Sequence, residues 1–253
     1  MMRLATLIAT CLLVSPAICL ADTPPDVVAL SKTPQVLLEA LDKRHNHYPT
    51  QKWTFEMVIK PPSGAKRSVK FAVQQKGSKR LVRFLEPGSV KGMSVLSKGT
   101  KMYVFSPQTE NVRLVATSAR RQTLLGSDLS FSDMATVDLA PAYAASVISS
   151  KDNRLWLELA RKEGSDAAWP KLRLGVNKKH ALIEVIEYWD SGKKIKEQTR
   201  TDFGLVSNIP TWKTITMTDV ASGHKTTLNM LKQAIGEEIP DKVFTKRSLV
   251  RGR

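Results

Sequence analysis

Trp53, Phe55, Met57 and Ile59 occupy every second position of one short stretch, with Thr54, Glu56 and Lys60 on the other face. Successive side chains of a strand point to opposite faces, so this run makes a strand with one buried and one solvated side. Pro61-Pro62-Ser63-Gly64 ends it in a turn, and Val69, Phe71 and Val73 repeat the pattern as far as a second turn at Lys76-Gly77-Ser78-Lys79. Further strands are expected near 80–85, 93–97, 101–106, 111–115, 153–160, 171–176, 182–189, 194–205, 211–219 and 224–234. A chain so dominated by period two, with turn residues between its segments, folds as an antiparallel, mainly β domain.

Two segments depart from that period. Thr33-Pro34 opens an amphipathic helix, with Thr33 as N-cap and Pro34 at the first helical position. Leu37, Leu38 and Leu41 give it an apolar face, and Tyr48-Pro49 ends it. Residues 117–149 also break the alternation. Arg120 to Leu125 can form a short helix there, and Ser130 or Ser132 can cap another running through Met134.

The first 21 residues read as a secretory leader. Arg3 is its positive end, Leu4 to Val14 its apolar run, and Cys19-Leu20-Ala21 a cleavage site before Asp22. The apolar run is shorter than the ~20 residues of a spanning helix. Ile18 is not the small residue that precedes a lipidated cysteine, so Cys19 is not expected to carry an anchor. Cys11 and Cys19 both fall in the leader, which leaves residues 22–253 without a thiol for disulfides, metal sites or nucleophilic chemistry. No Gly/Ser linker or charge block divides those residues, so one domain over 22–253 is expected. With the leader removed it is expected as an exported, soluble monomer.

Without Arg3, 38 basic residues face 23 acidic ones, a formal net charge of +15. Such a surface suits nucleic acid, anionic headgroups or an acidic partner. Export and the absence of any nucleic-acid motif leave no nucleic-acid role. Lys66-Arg67, Arg120-Arg121, Lys178-Lys179, Lys193-Lys194 and Lys246-Arg247 can meet an anionic membrane surface if folding gathers them on one face. The stretch from Lys246 to Arg253 holds four basic residues and no acidic one, and reads as a disordered tail.

Signals for catalysis are thin. His45 and His47 are two apart, a spacing that does not share a helix face, and at a fraying helix end they read as solvated. His180 and His224 sit in expected turns. Gly126-Ser127-Asp128 reads as structural: Gly126 permits a turn, Asp128 accepts backbone amides, and Ser130 or Ser132 caps the next helix. A secreted hydrolase would instead require Ser127 or Ser130 to meet His180 or His224 through folding. No cofactor or metal-ligand set is indicated.

The segment from Phe84 to Met134 adds a different kind of information. It reads Phe84-Leu85-Glu86-Pro87, Lys91-Gly92-Met93, Met102-Tyr103-Val104-Phe105-Ser106-Pro107, Val112-Arg113 and Gly126-Ser127-Asp128-Leu129-Ser130-Phe131-Ser132-Asp133-Met134. Downstream follow Pro170-Lys171-Leu172, Glu187-Tyr188-Trp189-Asp190, Gly192-Lys193, Asp219, Ser222-Gly223, Thr226, Ile239-Pro240-Asp241, Phe244-Thr245 and Leu249. In order and spacing these blocks resemble a divergent branch of the outer-membrane lipoprotein-sorting family, relatives of the LolA and LolB periplasmic carriers.

The resemblance implies an incomplete, half-open, curved antiparallel β-barrel of about 11 strands, with an N-terminal helix and a mid-chain helical lid. It also implies a carrier of lipid or lipoprotein acyl chains, loaded by an inner-membrane exporter and relieved by an outer-membrane acceptor. An accessory protein of a membrane lipid exporter, moving a lipid that is not a lipoprotein, stays open beside it. A concave sheet of this length is too wide for its own side chains to fill. The alternation makes Trp53, Phe55, Met57 and Ile59 its candidate lining, with Phe71, Leu157 and Met217 facing the same volume. Met57, Met93, Met102, Met134, Met217 and Met230 supply flexible, polarizable surface that suits variable chains, though each also suits ordinary core filling.

Overall fold

Asp26 accepts hydrogen bonds from the N–H groups of Val28 and Ala29 and so starts a one-turn helix, α1 (Val27–Leu30). The computed structural model describes residues 23–46, 48–206 and 209–251. The proposed leader and its two cysteines, together with His47, lie outside the described residues. In α2 (Pro34–Asn46), Leu37, Leu38 and Leu41 are all buried, as their spacing requires. Thr33 begins this helix through its carbonyl, which accepts from Leu37 N–H, while its hydroxyl turns back to the carbonyl of Leu30. The expected side-chain cap is therefore absent.

Thirteen strands follow among the described residues. They are β1 (Thr50–Lys60), β2 (Arg67–Lys76), β3 (Lys79–Glu86), β4 (Ser94–Lys98), β5 (Lys101–Ser106) and β6 (Asn111–Leu114), then β7 (Tyr143–Lys151), β8 (Arg154–Arg161), β9 (Lys171–Asn177), β10 (Leu182–Asp190), β11 (Lys193–Val206), β12 (Ile209–Asp219) and β13 (Lys225–Ile235). All belong to one curved antiparallel sheet that does not close. The architecture is the expected one, with more strands than the expected 11. The stretch assigned to the irregular insertion ends in a strand, β7, whose residues Tyr143-Ala144-Ala145-Ser146-Val147-Ile148-Ser149-Ser150-Lys151 are mostly exposed. Tyr143, Ala145 and Val147 do face the core, but a bulge between Val147 and Ser149 ends the alternation after three positions and leaves too short an apolar run to read as a strand.

The strand order places two meanders side by side. Strands β1 to β6 run one way from the centre and β13 to β7 the other, joined where β1 pairs with β13. The unpaired edges, β6 and β7, are consecutive in the chain. Residues 115–142 cross between them as a strap, which holds a 3-10 turn (Thr117–Arg121), a bridge between Thr123 and Ser130, and α3 (Phe131–Ala135). Ser130 caps α3 in a reciprocal box: its hydroxyl accepts from Asp133 N–H and the Asp133 carboxylate accepts from Ser130 N–H at 2.7 Å.

The main core lies on the concave side, under α2 and the strap. A smaller one lies on the opposite face of β3 to β5, where Leu81, Leu96 and Phe105 meet Ile239, Phe244 and Leu249. The adjacent apolar pairs Leu81-Val82, Val95-Leu96 and Val104-Phe105 follow from that double coverage, one member serving each core. The residues read as a disordered tail form a last helix, α4 (Lys246–Arg251), with Leu249 fully buried; residues 252 and 253 lie outside the described residues. Among the described residues no helix is long and apolar enough to cross a membrane.

Candidate functional site

Curvature without closure leaves a cavity of about 600 Å³ between the sheet, the end of α2 and the strap. That volume is within the range of ligand pockets, roughly 300–1,000 Å³. Its apolar wall includes Phe55, Phe71, Val82, Met102, Met134 and Met230. Phe71 packs between Phe55, stacked on it at 5.5 Å between ring centroids, and Phe84, tilted against it at 5.7 Å.

The seven residues expected to line one volume divide into two groups. Trp53, Phe55 and Phe71 border the cavity. Met57, Ile59, Leu157 and Met217 are fully buried in the main core and do not border it. The register explains two of the four. Ile59 pairs with Thr226, and Thr226 pairs with Met217, so the three lie abreast across β1, β13 and β12. The strap seals that end, because the Asp128 carboxylate accepts a hydrogen bond from the Thr226 hydroxyl at 2.7 Å. Ile59 and Met217 therefore belong to the concave side, at the end the strap fills.

Asp128 corrects a sequence expectation. Its carboxylate takes the Thr226 hydroxyl and the His224 ring, rather than backbone amides of its own loop. Gly126 supplies the turn before it at φ +67°, where a Cβ would come within 3.0 Å of Arg67 Nη2. The serines do not form a triad. The Ser127 hydroxyl accepts from Leu129 N–H at 3.2 Å, and Ser130 bonds Ser132 and Asp133, so neither is bonded to His180 or His224. His180 stacks on Phe203, with centroids 4.1 Å apart.

One end of the cavity is polar, and sequence patterns did not reveal it. Arg200 Nη1 donates to His45 Nε2 at 2.9 Å. Burial, reinforced by Arg200, Arg44 and Arg80, pushes the His45 imidazole down to about 3, so it is neutral and accepts through Nε2. His45 is thus a half-buried cavity residue instead of the solvated one its helix-end position suggested. Gln51 donates to the His45 carbonyl, Gln75 to the Asn46 side chain, and Arg80 to Gln75 and to the Thr136 carbonyl of the strap. Burial lowers the Arg80 guanidinium to about 10.

Side chains of α2 hold the far end of the strap. Asp42 accepts from Leu139 N–H at 2.9 Å and Ala140 N–H at 2.7 Å, and Asn46 donates to Val137 carbonyl and Asp138. Burial raises the Asp42 carboxyl to about 7, against those two backbone bonds. Several of the basic pairs noted in the sequence are engaged locally. Arg120 pairs with Asp166, Arg121 with Asp190, and Lys194 with Glu187 and Glu197.

Residues 76–251 match a family model described as "Uncharacterized protein". Three solved structures share the architecture. A domain from Vibrio parahaemolyticus, described as an outer membrane lipoprotein-sorting protein, is 18% identical; the match covers 87% of this chain and 100% of that one, with a TM-score of 0.77. A LolA superfamily protein from Nitrosomonas europaea is 23% identical over 85% of this chain and 98% of its own, at 0.73. A DUF1329 family protein from Desulfovibrio piger is 20% identical over 87% and 98%, at 0.79. A comparison with curated proteins finds no match. At these identities the likeness to the solved structures is one of fold.

Proposed function

Because this chain belongs to the family whose model spans residues 76–251 and has the fold of the LolA superfamily, we propose that it carries a lipid, or the acyl chains of a lipoprotein, through the periplasm toward the outer membrane. The observation that carries this reading is the cavity of about 600 Å³, walled by Phe55, Phe71, Met102 and Met230 and covered by a strap that joins the two free sheet edges. Each methylene removed from water there stabilises the complex by ~0.8 kcal/mol. No covalent step is needed. Transfer follows from the affinities of donor, carrier and acceptor, with the strap shifting between closed and open populations. An inner-membrane exporter would load the monomer and an outer-membrane acceptor would unload it.

The test is native mass spectrometry of the protein purified from its own periplasm. A retained lipid or acylated protein is expected, and its mass names the cargo. A preparation that emerges empty and takes up no acyl probe would remove the carrier reading.

A further inference from the structure

Buried polar atoms in folded proteins are nearly always hydrogen-bonded, and a buried unpaired charge is costly. Here the described residues contain five buried side-chain polar atoms without a partner: Arg120 Nε, Trp169 Nε1, Arg200 Nε, Trp212 Nε1 and Gln233 Oε1. All five residues border the one cavity. Four of the five atoms are N–H donors, so what is missing is chiefly an acceptor.

The charge points the same way. Among the described residues no carboxylate lies within 4.0 Å of the guanidinium of Arg200 or Arg80. Among the described residues the only side-chain hydrogen-bond partner of Arg200 is the neutral ring of His45, and Arg80 is held by Gln75 and strap carbonyls. By contrast Arg120 has Asp166 and Lys196 has Asp133. The C-terminal carbonyls of α2 favour cations nearby, but a helix end is a weak partner for two guanidiniums. Three of the five lie toward the end of α2: Arg200 is bonded to His45, Trp212 packs edge-on against Phe203, which stacks on His180, and Gln233 is directly across from Trp53. His45, Gln51, Gln75 and Arg80 are linked around that helix end. Trp169 lies instead beside Lys196, toward the end the strap seals, and Arg120 beside Thr100 and Asp166. Asp138 borders the same end through Asn46 and acts on Arg80, which leaves Arg200, among the described residues, as the guanidinium there with no carboxylate acting on it. The cavity is therefore amphipathic, with a donor-rich end centred on Arg200 and an aromatic and methionine wall.

We propose that this end receives the anionic headgroup of an acidic amphiphile, a carboxylate or phosphate on a hydrocarbon chain, with Arg200 as its main ion partner. The chain lies along the Phe55–Phe71 wall. The proposal rests on the carrier reading and narrows its cargo. Arg200 is preset for this role, because His45 fixes one guanidinium nitrogen and leaves Nε to the ligand.

Hexadecanoate, hexadecyl phosphate, hexadecan-1-ol and inorganic phosphate are titrated into the purified full chain, and binding is followed by displacement of a fluorescent acyl probe. The two acids are expected to bind roughly tenfold to a hundredfold more tightly than the alcohol, the size of effect a charge-assisted bond gives. The tighter of the two acids distinguishes a carboxylate from a phosphate headgroup, and inorganic phosphate alone should displace nothing. In Arg200→Gln the preference for acid over alcohol should shrink to within about twofold. If the three chains bind wild-type protein equally, the headgroup proposal falls and the carrier reading stands. If no chain binds, the carrier reading itself fails. If inorganic phosphate competes as well as hexadecyl phosphate, the site takes a small anion and the amphiphile is excluded. The wild-type ratio decides even if Arg200→Gln does not fold, and a thermal melt of the variant shows whether it does.

Discussion

The ring of His224 presents Nδ1 to both carboxylate oxygens of Asp128, at 2.8 and 2.7 Å, and so fastens the strap to the residue just before the central strand β13. Thr226 makes a second attachment, accepting from Asp128 N–H at 2.9 Å while its hydroxyl donates to the carboxylate. Three polar side chains thereby fix the closed end of the concave face. Asp128 and Thr226 are both buried, so their bonds are shielded from water.

Asp128→Ala should lose ~1.5–3 kcal/mol in urea unfolding, since it removes a buried acceptor and strands the Thr226 hydroxyl. Asp128→Asn keeps one oxygen for that hydroxyl and should lose less. Amide exchange across residues 124–135 should quicken in both. Unchanged stability and exchange in Asp128→Ala would mean that the strap is held by packing alone.

Stability should depend on pH through two groups of opposite sense. Burial raises Asp42 from its ordinary 3.8 to about 7, so the folded state holds an extra proton between those values. Its contribution is complete below the lower value and is lost as pH rises through about 7. His45 is depressed from 6.5 to about 3, so its contribution is complete above the upper value and is lost as pH falls toward the lower. Asp42→Asn retains an acceptor for Leu139 and Ala140 and removes the titration. The stability of wild type relative to this variant should therefore fall by on the order of 2–4 kcal/mol from pH 4.5 to pH 8. A difference that stays flat across that range would contradict the raised carboxyl.

Core and cavity wall should separate on mutation. Met57, fully buried and away from the cavity, should lose ~2–5 kcal/mol on replacement by alanine. Met230, which faces Phe55 across the β1–β13 pair and borders the cavity, has space before it. Met230→Trp should weaken acyl-probe binding at least about tenfold by filling that space, with a stability change under ~1.5 kcal/mol. Comparable probe affinities in Met230→Trp and wild type would show that the chain lies elsewhere.

The proposed leader gives a prediction in mass. Protein recovered after export should lack residues 1–21 and begin at Asp22. A species retaining Cys19 with a diacylglycerol adduct would be a membrane-anchored lipoprotein instead.

Period two made the strand faces legible. Trp53, Phe55, Met57 and Ile59 do share the concave side of β1, because a side chain's face depends only on its parity along the strand. How far along that face the cavity extends depends on the strap, and the strap is positioned by contacts such as Asp128 with Thr226, 98 residues apart. Local pattern contains nothing about a contact of that range, so core and lining were read as one set. The polar end was hidden for the same reason. Arg200 is an ordinary charged residue in β11, and His45 an ordinary one near a helix terminus, until a separation of 155 residues closes to 2.9 Å. The edge strand β7 was missed for a different reason. Its core-facing set is only Tyr143, Ala145 and Val147, cut short by a bulge, and the rest of the strand is exposed.

Every ladder among the described residues, except that of β1 with β13, joins strands that succeed each other in the chain. Each meander can therefore form through short loop closures, which are entropically cheap and fast. Joining them requires residues as distant as Gln51 and Ile235 to find each other, and the cavity, walled by both meanders, is complete only when they do. Contact between the first and last strands is therefore the step expected to be slow. A nascent chain stalled short of β13 would expose the bare edge of β1 as a template for another chain.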